Sequence, residues 1–157
     1  MSGGAADAGG SADVDPAVWW LDGVRSRIAL HGDVTGGRVA VLEEVAPRGT
    51  CSPLHSHPED ETWQLLEGSA TFWIGAEAAP RRCGPGDAVF AAGGTPHALR
   101  VESERARMVV ISTPAGLERW VEQLGTRAPD DPPPPRERIS AVARALGVVV
   151  HGRPPEG

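Results

Sequence analysis

The feature that most limits how this chain can fold is the regular interruption of residues 24–113 by glycine and proline. Short segments in which apolar and polar residues alternate are separated by turn sequences at 32–37, 84–87 and 93–96. Alternation with a period of two is typical of a strand with one buried face. At least eight such segments, with no helical spacing between them, predict an all-β fold, either a closed antiparallel barrel or a double-sheet sandwich.

After residue 114 the spacing of the apolar residues changes from that of strands to that of helices. Four of them recur at i, i+3, i+4 and i+7, as in an amphipathic helix: Leu117, Trp120, Val121 and Leu124. This helix is predicted to end at Gly125. A proline-rich connector at 128–135 precedes a second helical segment at 139–146, which is predicted to stop at Gly147. Both helices are expected to pack on the outside of the barrel.

Length and charge indicate one domain and a small-molecule partner. A chain of 157 residues suffices for a single core of ordinary size. Because residues 1–14 are small and poor in apolar side chains, we expect a disordered leader there. A barrel is then expected at 15–114 and a helical tail, packed on it, at 115–157. The net charge of −6 disfavours binding to nucleic acid or to an anionic membrane surface.

Hydropathy and cysteine spacing indicate the cellular compartment in which the protein is expected. No apolar run approaches the roughly 20 residues that span a bilayer, and the N-terminus has no basic segment followed by an apolar one. We therefore expect a cytoplasmic protein. Cys51 and Cys83 lie 32 positions apart, unlike the close spacing of a zinc knuckle or a redox pair. Two free thiols are expected in that compartment.

The stretch from Gly49 to Gly68 carries the residues best suited to chemistry. It holds two histidines separated by one residue, His55 and His57, and a carboxylate four residues later, Glu61. Successive side chains of a strand point to opposite faces, so the two histidines project to the same side about 7 Å apart. Imidazoles placed in this way can begin a metal site.

The spacing of this stretch resembles the first motif of the cupin superfamily. A glycine is followed by five residues, His55, one residue, His57, three residues, Glu61, six residues and a second glycine. Residues 86–101 resemble the second cupin motif, in which His97 stands at the metal-binding position. The chain is therefore similar to small single-domain cupins of the kind that resemble quercetin dioxygenases.

The resemblance covers about residues 19–113 and implies the cupin double-stranded β-helix, a jelly-roll barrel, here followed by C-terminal α-helices. Two positions depart from the second motif, because Ala92 stands at the usual proline and Val101 at the usual asparagine. Neither position is a usual metal ligand. The departures therefore concern the rigidity of the loop and its local hydrogen bonds.

The resemblance also implies that four residues bind one divalent metal ion inside the barrel: His55, His57, Glu61 and His97. Three imidazoles and one carboxylate suit Fe, Mn, Ni, Co or Zn and leave positions for water, O2 or a chelating substrate. Some cupins keep the fold without a metal. Glu61 is either a plain ligand or a catalytic general base that moves a proton of the substrate. The adjacent Glu59 and Asp60 are expected to be solvated turn residues.

Four aromatic side chains are candidates for the wall of a substrate pocket, and core packing is the alternative for each: Trp63, Phe72, Trp73 and Phe90. Trp63 lies two residues after Glu61 and so shares its face of the strand. An aromatic wall favours a flat or polyketide-like ligand. The other histidines, His31 and His151, lie outside both motifs and are expected to be structural or on the surface.

Three classes of function fit these residues. The first is a metal-dependent dioxygenase acting on a small aromatic or polyketide-like molecule. The second is a metal-dependent cyclase or isomerase of secondary metabolism that uses no O2. The third is a non-enzymatic small-molecule-binding cupin. A homodimer is also expected, because the segment around Trp19 and Trp20 is a candidate edge strand that a second copy can cover.

Overall fold

The structure is a computed structural model that describes residues 17–77 and 79–156, so the leader expected at 1–14 lies outside the described residues. Eleven strands in the described part form two antiparallel sheets. The first sheet has the order β1 (Val18–Leu21), β2 (Val24–Leu30), β3 (Ala40–Pro47), β10 (Arg105–Thr113), β5 (Asp60–Glu67) and β8 (Ala88–Ala91). The second has the order β11 (Val149–Gly152), β4 (Leu54–Ser56), β9 (His97–Val101), β6 (Ala70–Ile74) and β7 (Arg81–Cys83).

The core lies between the two sheets, and alternation along the strands builds it. On β10 every second residue is buried, from Ala106 to Ser112. Leu65 of the first sheet and Phe72 of the second belong to one hydrophobic cluster and are almost fully buried. The predicted all-β, jelly-roll architecture is therefore confirmed. Cys51 and Cys83 are both free thiols.

Two helices follow the barrel where the apolar spacing predicts them. They are α1 (Leu117–Leu124) and α2 (Arg136–Leu146). Gly147 ends α2 in the left-handed conformation, with φ of 71°, which glycine adopts without steric cost. The fully buried carboxylate of Glu118 accepts hydrogen bonds from the backbone N–H groups of Gly32 and Gly116, which fastens α1 to the turn before β3. Within the described residues, neither helix is long and apolar enough to cross a membrane.

Two features of the sheet edges differ from expectation. The tail expected to be helical also contains β11, which pairs with β4; the β-branched residues Val149 and Val150 favour a strand there. The edge expected around Trp19 and Trp20 is partly covered by the chain itself. The N–H of Trp20 donates to the carbonyl of Thr126, and the N–H of Thr126 donates to the carbonyl of Trp20. This part of β1 is therefore not free to pair with a second copy.

Candidate metal centre

Three histidine rings meet where β4 and β9 lie side by side. His55 on β4 stands opposite His97, the first residue of β9, and His57 follows β4 by one residue. The ring centres of His55 and His97 are 4.4 Å apart, and those of His57 and His97 are 4.9 Å apart. One nitrogen from each ring lies within 4.8 Å of the other two. The second motif thus supplies its histidine to the pair from the first.

Backbone carbonyls hold two of the three rings in the form that a metal requires. Nδ1 of His55 donates to the carbonyl of Pro53 at 2.8 Å, and Nδ1 of His97 donates to the carbonyl of Thr95 at 2.9 Å. A carbonyl only accepts hydrogen bonds, so Nδ1 carries the hydrogen and Nε2 keeps its lone pair in the neutral ring. Burial also lowers the pKa of His55, by more than its bond to Pro53 raises it, which favours the neutral ring.

Glu61 joins this cluster from the first sheet. Its Oε2 atom lies 2.8 Å from Nε2 of His57 and 3.2 Å from Nε2 of His97. Burial raises the pKa of Glu61, but the contacts with His57 and His97 lower it by a larger amount. The pKa therefore lies below its usual value. Glu61 is therefore an ionised carboxylate. The structure thus brings together all four residues that the two motifs single out.

The donor atoms of this cluster fit a divalent cation. His97 Nε2 is buried and has no hydrogen-bond partner among the described residues, although Glu61 Oε2 is 3.2 Å away. In a neutral His97 ring with its hydrogen on Nδ1, the Nε2 lone pair faces the carboxylate oxygen, and either a proton on Nε2 or a metal ion between the two atoms satisfies both. Without that proton, two buried acceptors in this position call for a cation. Imidazole nitrogen and carboxylate oxygen are ligands for Zn, Fe, Mn, Ni and Co.

Glu59 and Asp60, expected to be solvated, are engaged in the structure. Oε2 of Glu59 lies 3.2 Å from Nδ1 of His57, on the side of the ring away from Glu61. Burial lowers the pKa of His57, but its contacts with Glu59 and Glu61 outweigh burial and raise the pKa to about 9. Oδ1 of Asp60 accepts a hydrogen bond from the backbone N–H of Gly93 at 2.7 Å. The only sequence signal for these contacts was that both residues lie within the first motif, between His57 and Glu61.

A cavity of about 660 Å³ adjoins the cluster. His55, His57, Glu59 and Glu61 form part of its wall. Much of the remaining wall is apolar and comes from the strands, from both helices and from the segment before β11; it includes Leu42, Met108, Val110, Trp120, Leu124, Ile139 and Val148. The helices therefore contribute to the cavity besides packing on the barrel. This volume is in the range of small-molecule sites.

The four aromatic residues expected around a substrate pocket do not line this cavity. Trp63 is buried in the core, with its ring centre 5.3 Å from that of His97 and 5.5 Å from that of Phe72. Trp73 belongs to a separate cluster, because adjacent residues of β6 point to opposite faces. Phe90 is 56% exposed for the same reason, since its neighbours on β8 point inward. Core packing, the stated alternative, applies to Trp63, Phe72 and Trp73.

Comparison with known proteins places this architecture in a family. Residues 41–114 match the family described as "Cupin domain". Dimethylsulfoniopropionate lyase DddQ of Ruegeria pomeroyi is 46% identical over 91 residues, which are 58% of this chain and 44% of that protein. Quercetin 2,3-dioxygenase of Bacillus subtilis is 29% identical over 100 residues, which are 63% of this chain and 29% of that protein. The chain thus spans less than half the length of either relative.

A solved structure supports the same assignment of the fold. The polyketide cyclase RemF from Streptomyces resistomycificus superposes with a TM-score of 0.52 at 21% identity, over 62% of this chain and 68% of that one. At this identity the likeness concerns the fold. The two antiparallel sheets, the histidine motifs and the match over residues 41–114 agree with one another. The chain therefore has the cupin fold, and its residues 41–114 match the cupin domain family.

Proposed function

We propose that this chain is a metal-dependent enzyme that holds one divalent ion through His55, His57 and His97, with Glu61 beside them, and acts on a small organic molecule. The observation that carries the proposal is the contact between Glu61 Oε2 and His97 Nε2, which are buried and 3.2 Å apart beside a cavity that Glu61 lines. A histidine cluster with a purely structural role would not need a cavity beside it that can hold a ligand. The reaction we favour is proton transfer without O2, of the lyase or isomerase type.

The residues around the ion have distinct roles in this proposal. When bound, a divalent ion polarises a carbonyl or carboxylate oxygen of the substrate and thereby acidifies its neighbouring C–H. Glu61, ionised because its pKa is lowered by the two histidines, takes that proton. Glu59 lies 3.2 Å from Nδ1 of His57, where a carboxylate can orient the ring of a metal-binding histidine. The apolar wall excludes water from the charged groups.

The relatives support the lyase type over the oxygenase type. The sequence motifs alone put dioxygenase chemistry first, because they resemble those of quercetin dioxygenases. The relative that shares 46% identity, however, is a lyase of dimethylsulfoniopropionate, whereas the dioxygenase relative shares 29%. A lyase removes a proton from carbon and releases a leaving group with its bonding electrons, which requires a base and a polarised acceptor but no oxidant. Dioxygenase chemistry is the second candidate, and the relative at 29% identity supports it.

The test separates the two reactions by their need for O2. The protein is reconstituted with Zn, Mn or Fe and assayed anaerobically with dimethylsulfoniopropionate, and aerobically with quercetin. We expect anaerobic turnover of the first compound that zinc supports and that His97→Ala abolishes. Glu67→Gln is the matched control, because Glu67 lies on the same strand, is exposed and contacts arginines. Turnover that requires O2 together with Fe or Mn would instead establish the dioxygenase. Metal analysis of His97→Ala tests the ligand assignment independently of the substrate.

A further inference from the structure

Two carboxylates that line the cavity belong to neither motif: Asp22, which is exposed, and Glu44. Glu44 lies on β3 between the inward-facing Leu42 and Ala46, both buried, and all three line the cavity. Its neighbour Glu43 points to the other face of the sheet, where Arg27 and Arg107 pair with it. Adjacent glutamates of one strand therefore have opposite surroundings: one is paired with cations, and the other faces the cavity.

Glu44 occupies a different part of the wall from the candidate metal centre. In the strand register Glu44 stands opposite Met108 on β10, and Met108 stands opposite Leu65 on β5. Leu65 lies four residues beyond Glu61 on that strand. Glu44 is thus two strands away from Glu61 and further along the sheet. It is not among the residues whose donor atoms converge on the histidine cluster.

The surroundings of Glu44 leave half of its carboxylate without a partner. The hydroxyl of Ser26, a buried residue, donates to Oε1 at 3.1 Å. No described residue donates a hydrogen bond to Oε2, and no described cation pairs with Glu44, whereas Glu43 pairs with two arginines. None of the arginines in the described chain lines the cavity. Burial raises the pKa of Glu44 to about 7; repulsion by Glu61 adds to the rise, and the bond from Ser26 opposes it.

We propose that Glu44, held by Ser26, determines the charge of the substrate: its free oxygen accepts a hydrogen bond from a cationic or neutral donor group of the ligand. A ligand with a second anionic group is disfavoured. The inference rests on the proposed function, because it concerns the substrate of that same cavity. Glu44 would give the substrate a second polar contact, separate from the metal-binding residues. It would also select substrates by the charge of the group that reaches it.

Electrostatics explains the preference. A carboxylate in a largely apolar wall is stabilised by a cation or a donor that enters with the ligand and is further destabilised by a second negative charge. Asp22, Glu59 and Glu61 also line the cavity and add to the negative potential. Because no described arginine lines the cavity, an anionic group of the ligand finds no guanidinium there and is best placed at the metal. A molecule with one anionic or chelating end and one cationic or donor end matches both contacts.

The test uses hydroxamic acids, which chelate a bound divalent ion whatever the natural substrate. Three series share straight chains of three to six carbons and differ at the far end, which is an amino, a methyl or a carboxyl group. Binding to the zinc-loaded protein is measured by titration calorimetry at pH 8, where Glu44 is ionised. The variants are Glu44→Gln, which keeps the size of the side chain, and Glu43→Gln, the matched control on the outer face of the same strand.

We expect the amino series to bind to the wild type most tightly and the carboxyl series least tightly at the best chain length. Glu44→Gln is expected to weaken binding of the amino compound about tenfold or more, to leave the methyl compound unchanged and to tighten the carboxyl compound. Glu43→Gln should reproduce the wild type. Equal affinities of wild type and Glu44→Gln for each of the three series would overturn the proposal, as would tight binding of the carboxyl series to the wild type.

Two further outcomes remain decisive. If Glu44→Gln does not fold, the order of the three series in the wild type alone supports or overturns the proposal. If no hydroxamate binds, the metal-site proposal fails, and Glu44 is tested without metal by hexylammonium, a cation with N–H donors. Weaker binding of that cation to Glu44→Gln than to the wild type supports the role of Glu44, and equal binding overturns it.

Discussion

Glu61 is the carboxylate that contacts two of the three histidines, and its two interpretations have different consequences. If Glu61 is only a ligand, its removal mainly weakens metal binding. If Glu61 is a general base, its removal mainly lowers the rate of turnover. The position of Oε2 between His57 Nε2 and His97 Nε2 permits either role.

We expect Glu61→Gln to retain metal and to lose activity. An amide keeps a carbonyl oxygen near the ion but does not accept a proton at neutral pH, so kcat should fall by about 10²–10⁴. Metal analysis and steady-state kinetics check this, with His55→Ala expected to lose the metal and Glu67→Gln expected to change neither quantity. Loss of metal in Glu61→Gln in proportion to the loss of activity would make Glu61 a ligand without a base function.

Glu44 makes the stability of the metal-free protein depend on pH. Its pKa is about 7 in the folded protein against 4.5 for an ordinary glutamate, because of burial and repulsion by Glu61. A carboxyl group whose folded pKa is raised binds its proton more tightly when folded. Its contribution is therefore complete below pH 4.5 and is lost as the pH rises to about 7.

Glu44→Gln should remove this dependence, because an amide does not ionise. We expect the variant to be more stable than the wild type by about 1–3 kcal/mol at pH 8, and the difference to shrink towards pH 5. Urea unfolding of the metal-free proteins at the two pH values measures this. Glu43→Gln is the control. A difference between Glu44→Gln and wild type that is the same at both pH values would contradict the assignment.

The element that supports the site from behind is β11. It pairs with β4, Val150 stands opposite His55, and the side chains of Ser56 and His151 are joined by a 2.8 Å hydrogen bond. Because β4 has three residues, β11 and β9 on its two sides supply much of its backbone pairing. The tail of the chain thus helps to hold the first metal-binding histidine.

Proline in β11 should therefore loosen the site without replacing any of the proposed metal ligands. Along an antiparallel pair, only every second residue of β11 donates its N–H to β4. One of the two variants Val149→Pro and Val150→Pro therefore removes a hydrogen bond between β11 and β4. We expect that variant to weaken metal binding about ten- to hundredfold and to accelerate amide exchange in β4. Threonine at the same exposed positions keeps the N–H and is the control. Unchanged metal affinity in both proline variants would show that β4 holds its position without β11.

The barrel as a whole should be stabilised by the ion, because its proposed ligands come from both sheets. His55 and His97 lie on strands of one sheet and Glu61 on a strand of the other, so a bound ion joins the sheets. Unfolding separates these residues and releases the ion.

At a free metal concentration a hundredfold above Kd, the Tm should rise by about 5–10 °C. Calorimetric scans with zinc and with a chelator measure the rise. His55→Ala, which lacks one ligand, is expected to melt at the same temperature under both conditions. A rise in the Tm of that variant equal to that of the wild type would indicate that zinc binds elsewhere.

Much of the fold and of the site was predictable because it depends on local patterns. The period-two segments determined the strands, the i, i+3, i+4, i+7 residues determined α1 and α2, and the two motifs singled out His55, His57, Glu61 and His97. Each of these signals lies within a few neighbouring residues, where backbone geometry decides which side chains share a face.

What only the tertiary structure decided concerns contacts between distant parts of the chain. The sequence did not place the cavity wall on the helices, turn Glu44 inward beside Ser26, set Glu59 against His57 or pair β11 with β4. It also did not distinguish core aromatics from pocket aromatics, so Trp63, Phe72, Trp73 and Phe90 were candidates both for the core and for a wall that other residues form. Local spacing determines which residues share a face; which face meets a cavity depends on how the sheets and helices pack together.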